Sequence, residues 1–162
     1  MKFMNKLQDK LKKAKKDNKG FSLVELIIVI AIMAILVGIV GTQVIPYINK
    51  SKVAKDQQVL NSISTAAVSA YSELALTGDI TVNVFGTNTA DSNEDKINKE
   101  IINATGYNDL AAFKGALGAD GKGDIESVTF EVVSGSHQAT TSVTYKSGST
   151  VKYKIKDVTA TL

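Results

Sequence analysis

The sequence has no cysteine, no tryptophan and no arginine, and it holds one proline and one histidine. Without cysteine there is no disulfide framework and no thiolate metal site. A single histidine leaves little material for imidazole ligation or for a catalytic triad. That residue, His137, follows Ser136 in the turn-like stretch Ser134-Gly135-Ser136-His137. Adjacent residues in a turn do not supply the orienting acid and oxyanion site that a Ser-His pair needs, so His137 reads as a solvated loop residue. No phosphate loop, dinucleotide fingerprint or metalloprotease helix is present. These absences argue against an enzyme, and no cofactor is expected.

Charge is short in one place and concentrated in another. Residues 1–20 hold eight of the 19 lysines against Asp9 and Asp17, a net +6, while the remaining 142 residues carry a net −3. A basic segment ahead of a mildly acidic body does not predict nucleic-acid binding by the body; it fits a segment retained on the cytoplasmic side of a membrane. Within it, Phe3, Leu7 and Leu11 have helical spacing, which leaves a short amphipathic helix on a lipid surface as the alternative to a solvated leader.

Between residues 21 and 45 charge almost vanishes. These 25 residues carry only Glu25. At about 1.5 Å per residue a helix of this length reaches roughly 37 Å, enough for a hydrocarbon layer of about 30 Å. The run is too long for an ordinary secretory signal, and Gly41-Thr42-Gln43 is a poor cleavage site. It is apolar on every face, so it must be surrounded by lipid or by other helices. Ala31, Ala34, Gly38 and Gly41 offer points of close approach. Gly38, Gly41 and Pro46 weaken the helix locally and predict a kink near residues 42–46. Glu25 stands in this run as a costly carboxylate that either snorkels to the headgroups or meets a specific partner.

The stretch from Lys19 to Leu36, K-G-F-S-L-V-E-L-I-I-V-I-A-I-M-A-I-L, closely resembles the class III signal of type IV pilins and pseudopilins: a basic leader, Gly, Phe, three residues, Glu and an apolar run. The resemblance covers the first third of the chain in detail and the rest in architecture only. It implies cleavage by prepilin peptidase between Gly20 and Phe21, N-methylation of Phe21, and a pairing of Glu25 with the amino group of a neighbouring Phe21 in a filament. Two such charges stranded in an apolar bundle neutralise each other and set register. The resemblance further implies a membrane-held subunit with its N-terminus inside. It would polymerise with copies of itself into an extracellular pilus, served by an assembly platform and ATPase, with no specific nucleic-acid partner. Relatives melt partly near a Gly/Pro segment on assembly, but their usual proline falls about one turn earlier, where Thr42 stands. Many Gram-negative relatives close a C-terminal loop with a disulfide, so the absence of cysteine points by association to a Gram-positive source. A pseudopilin of a type II secretion or competence system, and a single-span anchored binding domain, stay open as alternatives.

Residues 46–162, 117 in all, suffice for one modest core. The expected fold is α+β, the type IV pilin fold: a long N-terminal helix whose C-terminal half packs on a small antiparallel sheet. Residues 1–20 form the leader, 21–45 the membrane and assembly helix, 46–77 an amphipathic helix, 78–123 a loop region with short helices, and 124–162 the sheet. On the amphipathic helix, Ile48, Val53, Leu60, Ile63, Ala67, Tyr71 and Leu74 make the apolar face. Asp56 falls with the polar residues, and Gly78 is the expected stop. Residues 79–85 alternate as a short strand or extended loop. Asp91 or Ser92 caps a helix near 93–104, and Asn108 one near 108–117. Alternation predicts strands around Val128–Val132 and Thr141–Tyr145. It predicts a third at Val151-Tyr153-Ile155 after a Ser147-Gly148 turn, with a fourth at 158–162. The lysine face of that third strand (Lys152, Lys154, Lys156) reads as a solvated edge, with contact to an anionic surface as the alternative. Asp120 and Asp124 are weak metal candidates. Glu131 completes the count of a calcium loop, but Lys122 and Ile125 stand where an oxygen ligand and a glycine are needed, so no metal is expected.

Overall fold

The computed structural model describes residues 22–162. Helical hydrogen bonding runs unbroken from Leu23 to Glu73, in three parts: α1 (Leu23–Ile39), a π-helical turn (Val40–Val44) and α2 (Ile45–Glu73). Then come β1 (Ile80–Val84), α3 (Asn93–Thr105), α4 (Leu110–Ala116), β2 (Ile125–Val133), β3 (Gln138–Tyr145) and β4 (Val158–Thr161). The chain divides into two units, residues 1–45 and 46–162.

In the second unit the four strands form one antiparallel sheet in the order β1-β2-β3-β4. Register brings like faces together: Val82 opposes Phe130, and Val132 opposes both Ile80 and Ala139. One sheet face is therefore apolar. Leu60, Ile63, Ala67, Ala70 and Tyr71 of α2 pack into the same core, joined by Ile97 and Ile101 of α3 and Phe113 of α4. Phe113 stacks on Phe85 (5.7 Å between centroids) and meets Tyr107 edge-on (6.1 Å). Asn98 is buried, but its carboxamide oxygen accepts the Phe85 N–H at 3.1 Å, which satisfies both groups. This long helix on a small antiparallel sheet is the α+β, pilin-like architecture anticipated from the sequence.

Several details differ. The amphipathic helix ends at Glu73, not at Gly78. Ala75 takes the left-handed conformation (φ 49°), and the Leu76 N–H bonds back to the Tyr71 carbonyl, a Schellman closure without glycine. The α4 cap is Asp109, whose carboxylate accepts the Ala112 N–H at 2.7 Å, and not Asn108. Ser92 caps α3 as expected.

The largest correction concerns the predicted third strand. Residues 151–156 pair with no strand, and β4 takes the place beside β3. The cause is a phase conflict. Ile155 is buried while Lys154 and Lys156 are exposed, so inward positions here are odd-numbered. In β4 the half-buried residues are Val158 and Ala160, opposite buried Thr141 and Ala139, so inward positions are even-numbered. One ladder cannot hold both phases without an extra residue. The earlier segment leaves the sheet, and an open cleft of about 620 Å³ separates residues 142–145 from 154–157. Its backbone finds side-chain partners instead. The Ile155 N–H donates to the Tyr145 hydroxyl at 3.0 Å, the Lys156 N–H to Gln57 Oε1 at 2.9 Å, and Gln57 Nε2 to the Lys156 carbonyl at 2.7 Å. Burial pushes the Tyr145 phenol above its ordinary value, so the hydroxyl that accepts this bond stays protonated.

Candidate functional site

The N-terminal end of α1 is built by Ser22, Val24 and Glu25. Ser22 is the N-cap, and its hydroxyl accepts the Val24 N–H at 3.3 Å. The Glu25 carboxylate reaches back to accept the Ser22 N–H at 2.9 Å. Together they make a capping box on orphan donors of the first turn. The signal for it, Ser-x-x-Glu, stands in the sequence at Ser22 to Glu25, and capping adds to the snorkelling and filament-pairing roles expected of Glu25. The carboxylate at this site is exposed and already aligned with the helix N-terminus. Gly20 and Phe21, the expected cleavage and methylation residues, lie outside the described residues, as does the basic leader.

Past Glu25, no residue of α1 is buried. Met33 is 62% exposed and Val37 71%. Gly38 and Gly41 have open space where a Cβ would stand. Of the predicted weak points, Gly38 lies in α1, Gly41 in the π-helical turn and Pro46 in the first turn of α2. In the turn, the Ile45 N–H donates to the Val40 carbonyl, five residues back. A wider turn just ahead of proline relieves the crowding of its ring against the preceding carbonyls. Thr42 bonds its hydroxyl to the Gly38 carbonyl at 3.1 Å, a local back-bond that loosens helical geometry.

In the second unit the residue that sequence reasoning misplaced is Asp56. It is fully buried on α2. Its two carboxylate oxygens accept the N–H groups of Gly118 and Ala119, each at 2.8 Å, and so tie the loop after α4 to the helix. Partners 62 and 63 positions away leave no local mark in the sequence.

The weak metal candidates do not assemble into a ligand set. Asp120 is exposed and loosely paired with Lys52 at 3.8 Å. Asp124 accepts the Ser149 hydroxyl at 2.9 Å. Among the described residues no three His, Asp or Glu side chains group around a common point. Ser136 donates its hydroxyl to the Val133 carbonyl at 2.9 Å, and His137 sits in a left-handed turn, so this pair makes no nucleophile.

Comparison with known proteins adds one match. Residues 15–41 fit the family model described as the prokaryotic N-terminal methylation motif. No curated protein and no solved structure matched the chain. The matched segment covers Lys15, Lys16 and Lys19, the Gly-Phe step, Glu25 and the apolar run through Gly41. The chain thus carries the prokaryotic N-terminal methylation motif on a pilin-like fold.

Proposed function

We propose that the chain is the precursor of a type IV pilus subunit and acts by assembly, not by catalysis. Prepilin peptidase cleaves it between Gly20 and Phe21 and methylates the new amino group. The run at residues 21–45 holds the subunit in the cytoplasmic membrane, N-terminus inside, until an assembly platform and its ATPase draw it into a filament. The single observation that carries this reading is the methylation motif fused to a helix whose apolar side chains stay exposed among the described residues. Lipid covers that helix first and neighbouring copies cover it later. Exchanging lipid for helices gains little hydrophobic energy, so packing at small residues and polar pairing must supply the preference. The Phe21 ammonium and the Glu25 carboxylate of an adjacent subunit form such a pair. Gly38 and Gly41 supply close approach, and the loosened segment before Pro46 lets the helix adjust. A filament repeats one heterologous contact, so one such pairing per subunit suffices.

Intact mass of the native protein tests this. The expected mass is that of residues 21–162 plus one methyl group. An uncut mass, in cells with active prepilin peptidase, overturns the proposal in favour of a single-span anchored domain. Microscopy of the same cells separates a long surface fibre from the short fibre of a pseudopilin.

A further inference from the structure

The first turns of α2 and the segment that leaves the sheet share one feature, which is lysine. Lys50, Lys52 and Lys55 follow the apolar run by five to ten residues. At about 100° per residue, Lys50 and Lys52 flank the Val53 face of α2, and Lys55 lies nearer the opposite side. Residues 150–153 line a cavity with Asn49 and Val53, and Lys156 is clamped to Gln57 by two hydrogen bonds. Lys152, Lys154 and Lys156, all exposed, are thereby carried alongside the same turns of the helix. Because the segment's alternation is out of phase with β4, it joins no ladder of the described strands and is held by the side chains of Gln57 on α2 and Tyr145 on β3. Three tyrosines lie under these lysines. The ammonium of Lys50 stands 5.9 Å from the Tyr47 ring, that of Lys152 5.6 Å from Tyr153, and that of Lys154 5.1 Å from Tyr145. Tyr47, two residues past Ile45, is 74% exposed. Surface acids nearby are Asp120, Asp124 and Asp157, and among the described residues only Asp120 pairs with any of the six lysines.

We propose that these lysines and tyrosines form a collar that seats on anionic phospholipid headgroups while the subunit is held in the membrane. This rests on the membrane-held reading above and adds a lipid class to it. Chain continuity favours lipid over any soluble polyanion. Lys50 lies roughly 8 Å of helix beyond Ile45, and the headgroup layer on each side of the hydrocarbon is about 5 to 8 Å thick. Lysine and tyrosine suit that layer, the first for phosphate charge and the second for its amphipathic ring. The contact is electrostatic, so salt screens it.

The test is an amine-acetylation footprint, read by mass spectrometry, of the full chain in lipid nanodiscs. One set of discs holds phosphatidylcholine alone and the other adds phosphatidylglycerol. Acetylation of Lys152, Lys154 and Lys156 is expected to slow about three-fold in the anionic discs, with the difference lost in high salt and Lys96 on α3 unchanged. Equal rates in both lipids, with the chain inserted, overturn the collar and leave the membrane-held subunit standing. Equal slowing at Lys96 also overturns it, as a general effect of the discs. Stronger protection by duplex DNA in neutral discs reassigns the surface to nucleic acid. Failure of the chain to insert overturns the membrane-held reading and the collar with it.

Discussion

The two parts of the long helix meet opposite fates. In α1 no residue is buried, although nearly all are apolar. In α2 the mean composition is far more polar, yet Leu60, Ile63, Ala67, Ala70, Tyr71 and even the carboxylate of Asp56 are buried. An apolar stripe can be matched by one sheet face within the same chain. A helix apolar all round needs partners on every side, which one small domain cannot provide. The first part is written for an environment outside the chain and the second for one inside it. Each can be broken without the other.

The largest effect is expected at Glu25. Glu25→Ala removes the proposed partner of the Phe21 ammonium and half of the capping box. Filament yield should fall more than ten-fold, a preference of roughly 1.4 kcal/mol or more per subunit, while the subunit still reaches the membrane. The thermal midpoint of the second unit should not move, because its core is built wholly of residues beyond Pro46. Filaments at normal yield from the variant would leave Glu25 as a helix cap only.

Next comes Asp56, which breaks the inner half. Asp56→Ala strips two N–H groups of a charged acceptor, and is expected to cost about 3 kcal/mol by denaturant unfolding. Asp56→Asn keeps one acceptor and should cost about half that. A loss below about 0.5 kcal/mol for the alanine variant would show that water replaces the carboxylate and that the loop is not held from the helix.

Much of this division could be read from the sequence, for physical reasons that vary by region. The apolar run and its Gly-Phe-x-x-x-Glu preface are contiguous, so composition and motif expose them directly. The sheet was legible through its period of two at β2 and β3, whereas at β1 the same period left strand and extended loop open and gave no sign that residues 80–84 pair with β2. It failed at Val151, Tyr153 and Ile155, where alternation is perfect but the phase clashes with β4. Periodicity says which side a residue faces, not which ladder it joins. The helix end was misplaced because glycine is the usual left-handed residue, and here Ala75 takes that role while Gly78 lies in the connection, where its carbonyl accepts the Tyr71 hydroxyl at 2.9 Å. Asp56 was assigned to solvent because charge predicts exposure unless a partner is known.

Ala75 offers a smaller, opposite test. A non-glycine residue in the left-handed region is strained by about 1 kcal/mol. Ala75→Gly should therefore raise stability, by about 0.5 kcal/mol once the greater freedom of glycine in the unfolded chain is counted. It would shift the thermal midpoint of the second unit upward and leave assembly untouched. A downward shift would mean that the closure of α2 depends on the alanine methyl.

The smallest effect lies at Asp79, where β1 begins and β2 ends. Its carboxylate accepts both the hydroxyl and the N–H of Ser134, at 2.6 and 2.7 Å. The Ser134 hydroxyl, then its N–H, hold the Asp79 pKa below its ordinary 3.8. A depressed pKa means that the folded state prefers the ionised form. The stabilisation is complete above the unfolded value, near pH 4, and is shed as pH falls through the lower folded value. Asp79→Asn should flatten the acid limb of a plot of thermal midpoint against pH, with little change at neutral pH beyond a small constant loss. The limb should not vanish, because Asp95 is depressed too, chiefly by its hydrogen bond from Lys99. An unchanged acid limb would show that solvent screens this exposed staple completely, and that the sheet is held by its apolar face and not by its ends.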